Sequence, residues 1–531
     1  MLTPAVQLVQ ALQPIQAPQP LQPIQPENIV VIMEPTINLV DLISEEPYEA
    51  LEFFEPEPVS EGMIKVGYMR LYRDPSNSTT ILKEDHYGFL NIKGELAVPM
   101  AYEEAGTFHG GLAWVKKGGK LGYVDTLGNM VAPLIYDEEG ETAYHEAWEF
   151  TEGFARVRVN QQYGFIDTSG TLVIQAVYDD ASAFHDGLAL VAQGGLYGFI
   201  DVRGNIKIPL EFDWASSFNE GLATVYKDGR YGFINTKGTF AVPNIYENAI
   251  MFHEGFAPVM QDGLCGFIDT AGEVIVPFIY SDGRPFYEGY AAVNQEGKCG
   301  FIDTAGNVIV PLEYDTVDRF YEGFAAVRKD EKCGLVDAMG NLVLPVEYDN
   351  VGRFNEGFAV VGNEWRCGFV NAEGDFVLPV IYDDATDFSG GLSAACMNGA
   401  WGYLNTEGKE VFPFEYEFTT QFNEGYALIQ KGGLWGIVHN NTYVAPPVDY
   451  TPTVDVSADT VPDETVPTDG TPTESAASNA AANAGNSVNS NSANRDQTGA
   501  NNPSMYFMIG VAVVLILLTA TLIIRAQRKK K

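Results

Sequence analysis

The sequence predicts an all-β repeat array of about eleven 34-residue, three-stranded units, forming an open superhelical or solenoid-like array. The first observation is a recurrent Tyr-Gly-Phe-type motif. Its glycine stands at Gly88, Gly122, Gly164, Gly198, Gly232, Gly266, Gly300, Gly334, Gly368, Gly402 and Gly436, every step being 34 residues except one of 42. The second is that other columns hold the same register. Asp or Asn follows three residues later (Asn91, Asp125, Asp167), Gly after six (Gly94, Gly128, Gly170), Pro after eleven (Pro99, Pro133, Pro209) and Tyr after fourteen (Tyr102, Tyr178, Tyr348). The third is the density of Gly and Pro, which excludes helical repeats of similar length, whose interiors need a 3.6-residue apolar period.

One unit, Glu322 to Phe354, illustrates the local logic. Phe324–Lys329 is short and β-compatible, Asp330-Glu331-Lys332 reads as a turn, and Cys333–Val336 reads as a second strand. Asp337-Ala338-Met339-Gly340 is a second turn, where Gly can take a positive φ and Asp can bond back to the main chain. Leu342–Leu344 is the third strand, and Pro345, lacking an N–H, is expected to end it. A unit of this size holds too few large apolar side chains to offset about 1–2 kcal/mol of backbone entropy per residue. The Phe column (Phe108, Phe150, Phe184, Phe218, Phe252 and onward to Phe422) and the Tyr column are therefore expected to pack between units. One or two β-propellers are the alternative architecture, although eleven units exceed the usual count of about 4–8 blades.

Tyr163-Gly164-Phe165-Ile166-Asp167 and Trp435-Gly436-Ile437, with the Gly turn, Pro, Tyr-Asp and Phe-x-Glu-Gly that follow in the units, resemble the bacterial WG-repeat family. The resemblance spans roughly Tyr87 to His439, with Trp kept only at Trp401 and Trp435. It implies a β-repeat array without a shared catalytic activity, so no catalytic, cofactor or metal residues carry over.

The flanks differ in composition. Residues 1–60, rich in Gln and Pro and then acidic, read as a largely disordered arm. The array occupies 61–443, with Glu61-Gly62 opening an irregular first half-repeat, and residues 444–504 read as a Thr/Pro/Ser/Asn-rich stalk. Met505–Ile524 is an uncharged run of 20 residues, long enough as a helix to span a bilayer, and the basic tail 525–531 follows it. The positive-inside rule puts that tail in the cytoplasm and the repeats outside the cell, on a single-pass anchor contacting the lipid bilayer. Met1–Gln10 holds no basic residue of the kind that opens a usual signal peptide. Stalk, span and tail also resemble the sorting signal of Gram-positive wall proteins, of which Thr498-Gly499 keeps only the final pair.

The expected function is binding or adhesion, with an unknown protein or glycan as partner; a passive spacer and an envelope-polymer hydrolase are the alternatives. The formal charge of −40 argues against nucleic acid. The candidate chemical groups all read as structural. Cys265, Cys299, Cys333 and Cys367 stand one repeat apart, with Cys396 beside the series, and fit neither a disulfide framework nor zinc. The column Glu220, Glu254, Glu288, Glu322, Glu356 and Glu424 reads as turn carboxylates facing solvent or local N–H groups, and His109, His185 and His253 as surface turn residues. A binding site is expected among the variable positions or in the eight-residue insertion near Asp137–Trp148.

Overall fold

In a computed structural model the described residues are 23–42, 50–74, 77–138 and 149–444. The insertion's residues 139–148, the stalk from 445 onward, Met505–Ile524 and the basic tail lie outside them. Among the described residues, no helix is long and apolar enough to cross a membrane.

The hydrogen-bonded unit is a small antiparallel sheet, and eleven such sheets are described. The fifth is representative: strand a (Trp214–Ala215), b (Leu222–Lys227), c (Arg230–Asn235) and d (Phe240–Tyr246), neighbours in that order. The three predicted strands correspond to b, c and d. Strand a was missed because it is two residues long and continues from the preceding sheet's d strand after a single residue, as Asn248–Ala249 continues from Phe240–Tyr246. One sheet, Phe154–Val159, Gln162–Asp167 and Leu172–Tyr178, has three described strands and follows the insertion.

Pro345 does not end its strand, which runs Leu342–Tyr348. The pairing shifts there, from Leu335 opposite Leu344 to Cys333 opposite Tyr348, so the proline falls in a bulge where no ladder N–H is needed. Gly334 faces that bulge, and a Cβ on it would lie 2.7 Å from the Leu344 carbonyl oxygen. The Gly and Pro columns are thus two halves of one device. The c–d turn is closed locally: Asp337 Oδ1 accepts from the N–H groups of Met339 and Asn341 at 2.9 and 2.8 Å, and Asn341 Nδ2 donates to its second oxygen at 2.8 Å.

Packing occurs between sheets, as expected for the aromatic columns. The c-strand aromatic of one sheet meets the Phe of the next: Phe199–Phe218 and Phe233–Phe252 centroids are each 4.6 Å apart, and Phe301–Phe320 centroids 4.7 Å. All six rings are nearly or wholly buried.

The expected open array is corrected to a closed ring of eleven sheets, so a single propeller-like ring is the architecture that fits. The arm assigned to residues 1–60 contains the closing element. Strand Ile29–Ile37 pairs antiparallel with the last c strand, Leu434–Asn440, in the position that a d strand takes elsewhere. Further along the same arm, Ala50–Phe53 is strand a of the first sheet. Two side chains also cross the joint: Asn423 Nδ2 donates to the Val59 carbonyl at 2.7 Å, and Glu424 accepts from the N–H groups of Glu61 and Gly62 at 2.9 and 3.3 Å. With Ile29–Ile37 in place, the edge of Leu434–Asn440 is paired and the last sheet has four strands like most of its neighbours.

Candidate functional site

The loops between strands a and b follow one another around the ring as its rim, and each carries a two-residue turn just before strand b. In the fifth sheet Asn219 and Leu222 bridge a turn whose central residues, Glu220 and Gly221, have φ of 53° and 74°. Two positive φ values make a type I′ hairpin turn, which favours Asn or Gly, so Glu at the first position is locally unfavourable. Its compensation lies in the next sheet. Glu220 accepts from the N–H groups of Glu254 and Gly255 at 2.7 and 2.9 Å, and Glu254 from Glu288 and Gly289 at 2.7 and 2.8 Å. Glu288 and Glu322 repeat the pattern, as does Glu356 toward Gly390 and Gly391. Where the column is acidic, it therefore bonds across the joint to the next sheet rather than to its own turn, which corrects the expectation from sequence. Glu152 and Asp186 each make one such bond, and Gly110 and Gly390 occupy the column without a carboxylate.

The residue just before the carboxylate also has a structural version. Where it is Asn or Ser, its side chain donates to the carbonyl of the next unit's Phe: Ser60 to Phe108, Asn219 to Phe252, Asn355 to Phe388 and Ser389 to Phe422, at 2.7–2.9 Å. Six units have neither Asn nor Ser there: His109, Thr151 and His185 form one run of three, and a second run carries the clustered rings. That second run is His253, Tyr287 and Tyr321, flanked on either side by Asn219 and Asn355. His253 and Tyr287 have ring centroids 4.2 Å apart. Two residues before Tyr321 and Asn355, Arg319 and Arg353 are exposed. The Arg319 guanidinium lies 4.5 Å from the Tyr287 centroid and 4.7 Å from the Tyr321 centroid, and Arg353 lies 4.8 Å from Tyr321.

Acidic neighbours frame this row. Arg353 Nε stands 3.8 Å from Asp318 Oδ2, with both side chains about half exposed. Burial raises the Asp387 carboxyl above the ordinary range, and nearby Arg353 opposes that rise. The result is a stretch of stacked rings and fixed guanidinium groups on a chain of strongly negative charge. Such a row can stack on flat or ring-shaped groups and donate to oxygens. Of the residues singled out from sequence, only His253 belongs to it. Tyr287, Tyr321, Arg319 and Arg353 were not named, although their column was legible as a place where Asn and Ser give way to rings.

The other predicted groups keep structural places. Each cysteine of the series pairs with a Tyr of its own sheet, Cys265 with Tyr280 and Cys367 with Tyr382 among them, and all five thiols are free. Burial, the larger cause, and nearby aspartates push the Cys265 and Cys367 thiols up to about 12. His109 lies 3.4 Å from Glu149, while His185 is exposed. Among the described residues, no group of three or more His, Cys, Asp or Glu side chains could hold a metal ion.

A family model described as WG containing repeat matches residues 87–120, 122–163, 163–197, 197–231, 231–265, 266–299, 300–333, 334–364, 368–399 and 401–435. No curated protein sequence matches the chain. Among solved structures the chain is similar to a eukaryotic initiation factor, at 12% identity over 58% of this chain and 94% of that one, with a TM-score of 0.37. It is also similar to the extracellular domain of a hybrid two component system from B. thetaiotaomicron, at 9% identity over 71% and 67% of the two chains, TM-score 0.20. A third is the V. cholerae biofilm matrix protein Bap1, at 10% identity over 73% and 87%, TM-score 0.19. Likeness this low lends the chain no function.

Proposed function

The chain belongs to the WG containing repeat family, and from that premise we propose that it is a non-enzymatic binding scaffold whose contact surface is the ring-and-arginine row on the rim. The observation that carries this reading is the exchange at His253, Tyr287 and Tyr321. Three consecutive units give up a side-chain bond that their neighbours Asn219 and Asn355 make across the joint. Exchanging a structural bond for partly exposed rings and guanidinium groups suits a surface selected for contact. The partner is a protein or a glycan.

The double variant Tyr287→Asn/Tyr321→Asn tests this reading, because it restores the residue type that bonds the joint elsewhere. The full chain and the variant are screened against a glycan array and a library of purified surface proteins. A ligand held by the full chain should be lost in the variant, while the thermal midpoint stays level or rises. A ligand retained undiminished by the variant, or the absence of any ligand in both screens, would sink the proposal.

The scaffold is further proposed to be held at a membrane by Met505–Ile524, with the repeats facing outward and residues 525–531 in the cytoplasm. Protease added to intact cells should then cut the ring and spare a membrane-bound C-terminal fragment. Protection of the ring until the cells are broken would reverse the orientation.

A further inference from the structure

A second departure from the repeat lies in the third sheet. Among the described strands in the d position, Leu172–Tyr178 alone holds no proline. The others run from Pro99 in the first sheet to Pro413 in the tenth, and the closing strand of the eleventh has Pro35. A strand in the d position pairs on one side only, with c. Its other edge is a template for a further chain, and a proline guards such an edge because it offers no N–H to a new ladder. In the third sheet Gln175 stands in the proline's place and restores that N–H.

The rest of the strand suits pairing. Leu-Val-Ile-Gln-Ala-Val-Tyr has no charge and no glycine, and its β-branched and aromatic residues favour an extended chain. Gln175, Ala176 and Val177 lie opposite no residue of the c strand, since the pairing passes from Phe165–Ile174 to Tyr163–Tyr178. Val173, Gln175 and Val177 alternate along the strand and all three are exposed, the valines to 41% and 42%. The Val177 carbonyl accepts from the side-chain amides of Gln162 and Gln193, both at 3.1 Å, so this stretch already draws donors from outside the ladder. An incoming strand would meet main-chain groups at Gln175 and an aliphatic side chain two residues to either side.

The charge of the occupant follows from that of the chain. At −40, two copies repel one another, which disfavours closing the edge with a second copy, whereas a basic chain is drawn in. We propose that Leu172–Tyr178 accepts, by strand addition, an extended basic segment of a partner protein whose aliphatic side chains are spaced to meet Val173 and Val177. This site belongs to the third sheet and does not rest on the rim row.

The test is fluorescence anisotropy of a labelled peptide of alternating Val and Thr, with Lys at both ends, titrated with the full chain. A second probe of the same charge has Pro in place of its central Val. The first probe should bind and the second should not, because only the first can build a ladder. Gln175→Pro gives the strand the residue that its counterparts carry, so the thermal midpoint should hold while affinity falls by about tenfold or more, the worth of one or two hydrogen bonds. Val173→Lys, at an exposed position, is a second variant that should weaken binding through like charge. Tyr287→Asn/Tyr321→Asn should leave the titration unchanged. Equal binding of the two probes, no rise in anisotropy with either, full affinity in both third-sheet variants, or a dimer of the full chain that Gln175→Pro dissolves would overturn the proposal.

Discussion

Deleting residues 1–37 is expected to open the ring and cause the largest loss of stability of any small change to this chain. The deletion removes the only strand paired with the outer edge of Leu434–Asn440 among the described residues. It also uncovers a core around Trp435 and Ile437, against which Met33 and Ile37 pack. Burying each such side chain is worth about 1.5–3 kcal/mol, so several kcal/mol depend on this one strand. Circular dichroism should show a markedly lower thermal midpoint, and size-exclusion chromatography should show self-association through the exposed strand edge. Gly436→Val is a finer test of the same joint, because a Cβ at Gly436 would lie 2.6 Å from the Met33 carbonyl oxygen and 2.8 Å from Pro35 N. If the truncated chain remained monomeric with an unchanged midpoint, the ring would not depend on this closure.

The second large effect is expected from Phe252→Ala. Phe252 is 1% exposed and its ring meets Phe233 at 4.6 Å, across the joint between two sheets. Removing a buried Phe leaves a cavity and costs about 3–5 kcal/mol. Because each sheet touches mainly its neighbours, the damage should centre on that joint. Hydrogen exchange should rise in the strands Phe240–Tyr246 and Phe256–Gln261 well before it rises near Glu410–Tyr416. Uniform acceleration around the ring would show that closure couples all the joints, and an unchanged melting curve would contradict the packing argument itself.

Much of the fold was legible because its determinants are local. The c–d turn needs Asp and Gly at fixed offsets, and the bulge needs Gly334 opposite Pro345; both signals fall within one repeat. The inter-sheet aromatic columns were also legible, since a unit this short must bury its rings against something else. The rim was legible only as variation in a column. The acidic residues were misjudged because their partners stand 34 and 35 residues further along, as with Glu288 and the N–H groups of Glu322 and Gly323. Nothing in a single turn's sequence marks a bond of that range.

The sequence by itself determined the repeat: its period, its count of eleven, its β character and the places where its columns break. Only the tertiary structure decided that the array closes. The closing strand, Ile29–Ile37, hides beside a Gln/Pro-rich arm and copies the repeat imperfectly. Ile37 faces Trp435 where Tyr416 faces Trp401 in the sheet before, and its proline, Pro35, sits one place later than Pro413 does in its own strand. Pairing between residues some four hundred positions apart depends on how a small rotation at each joint accumulates around the ring. That sum is a property of the packed molecule and is not written in any one repeat.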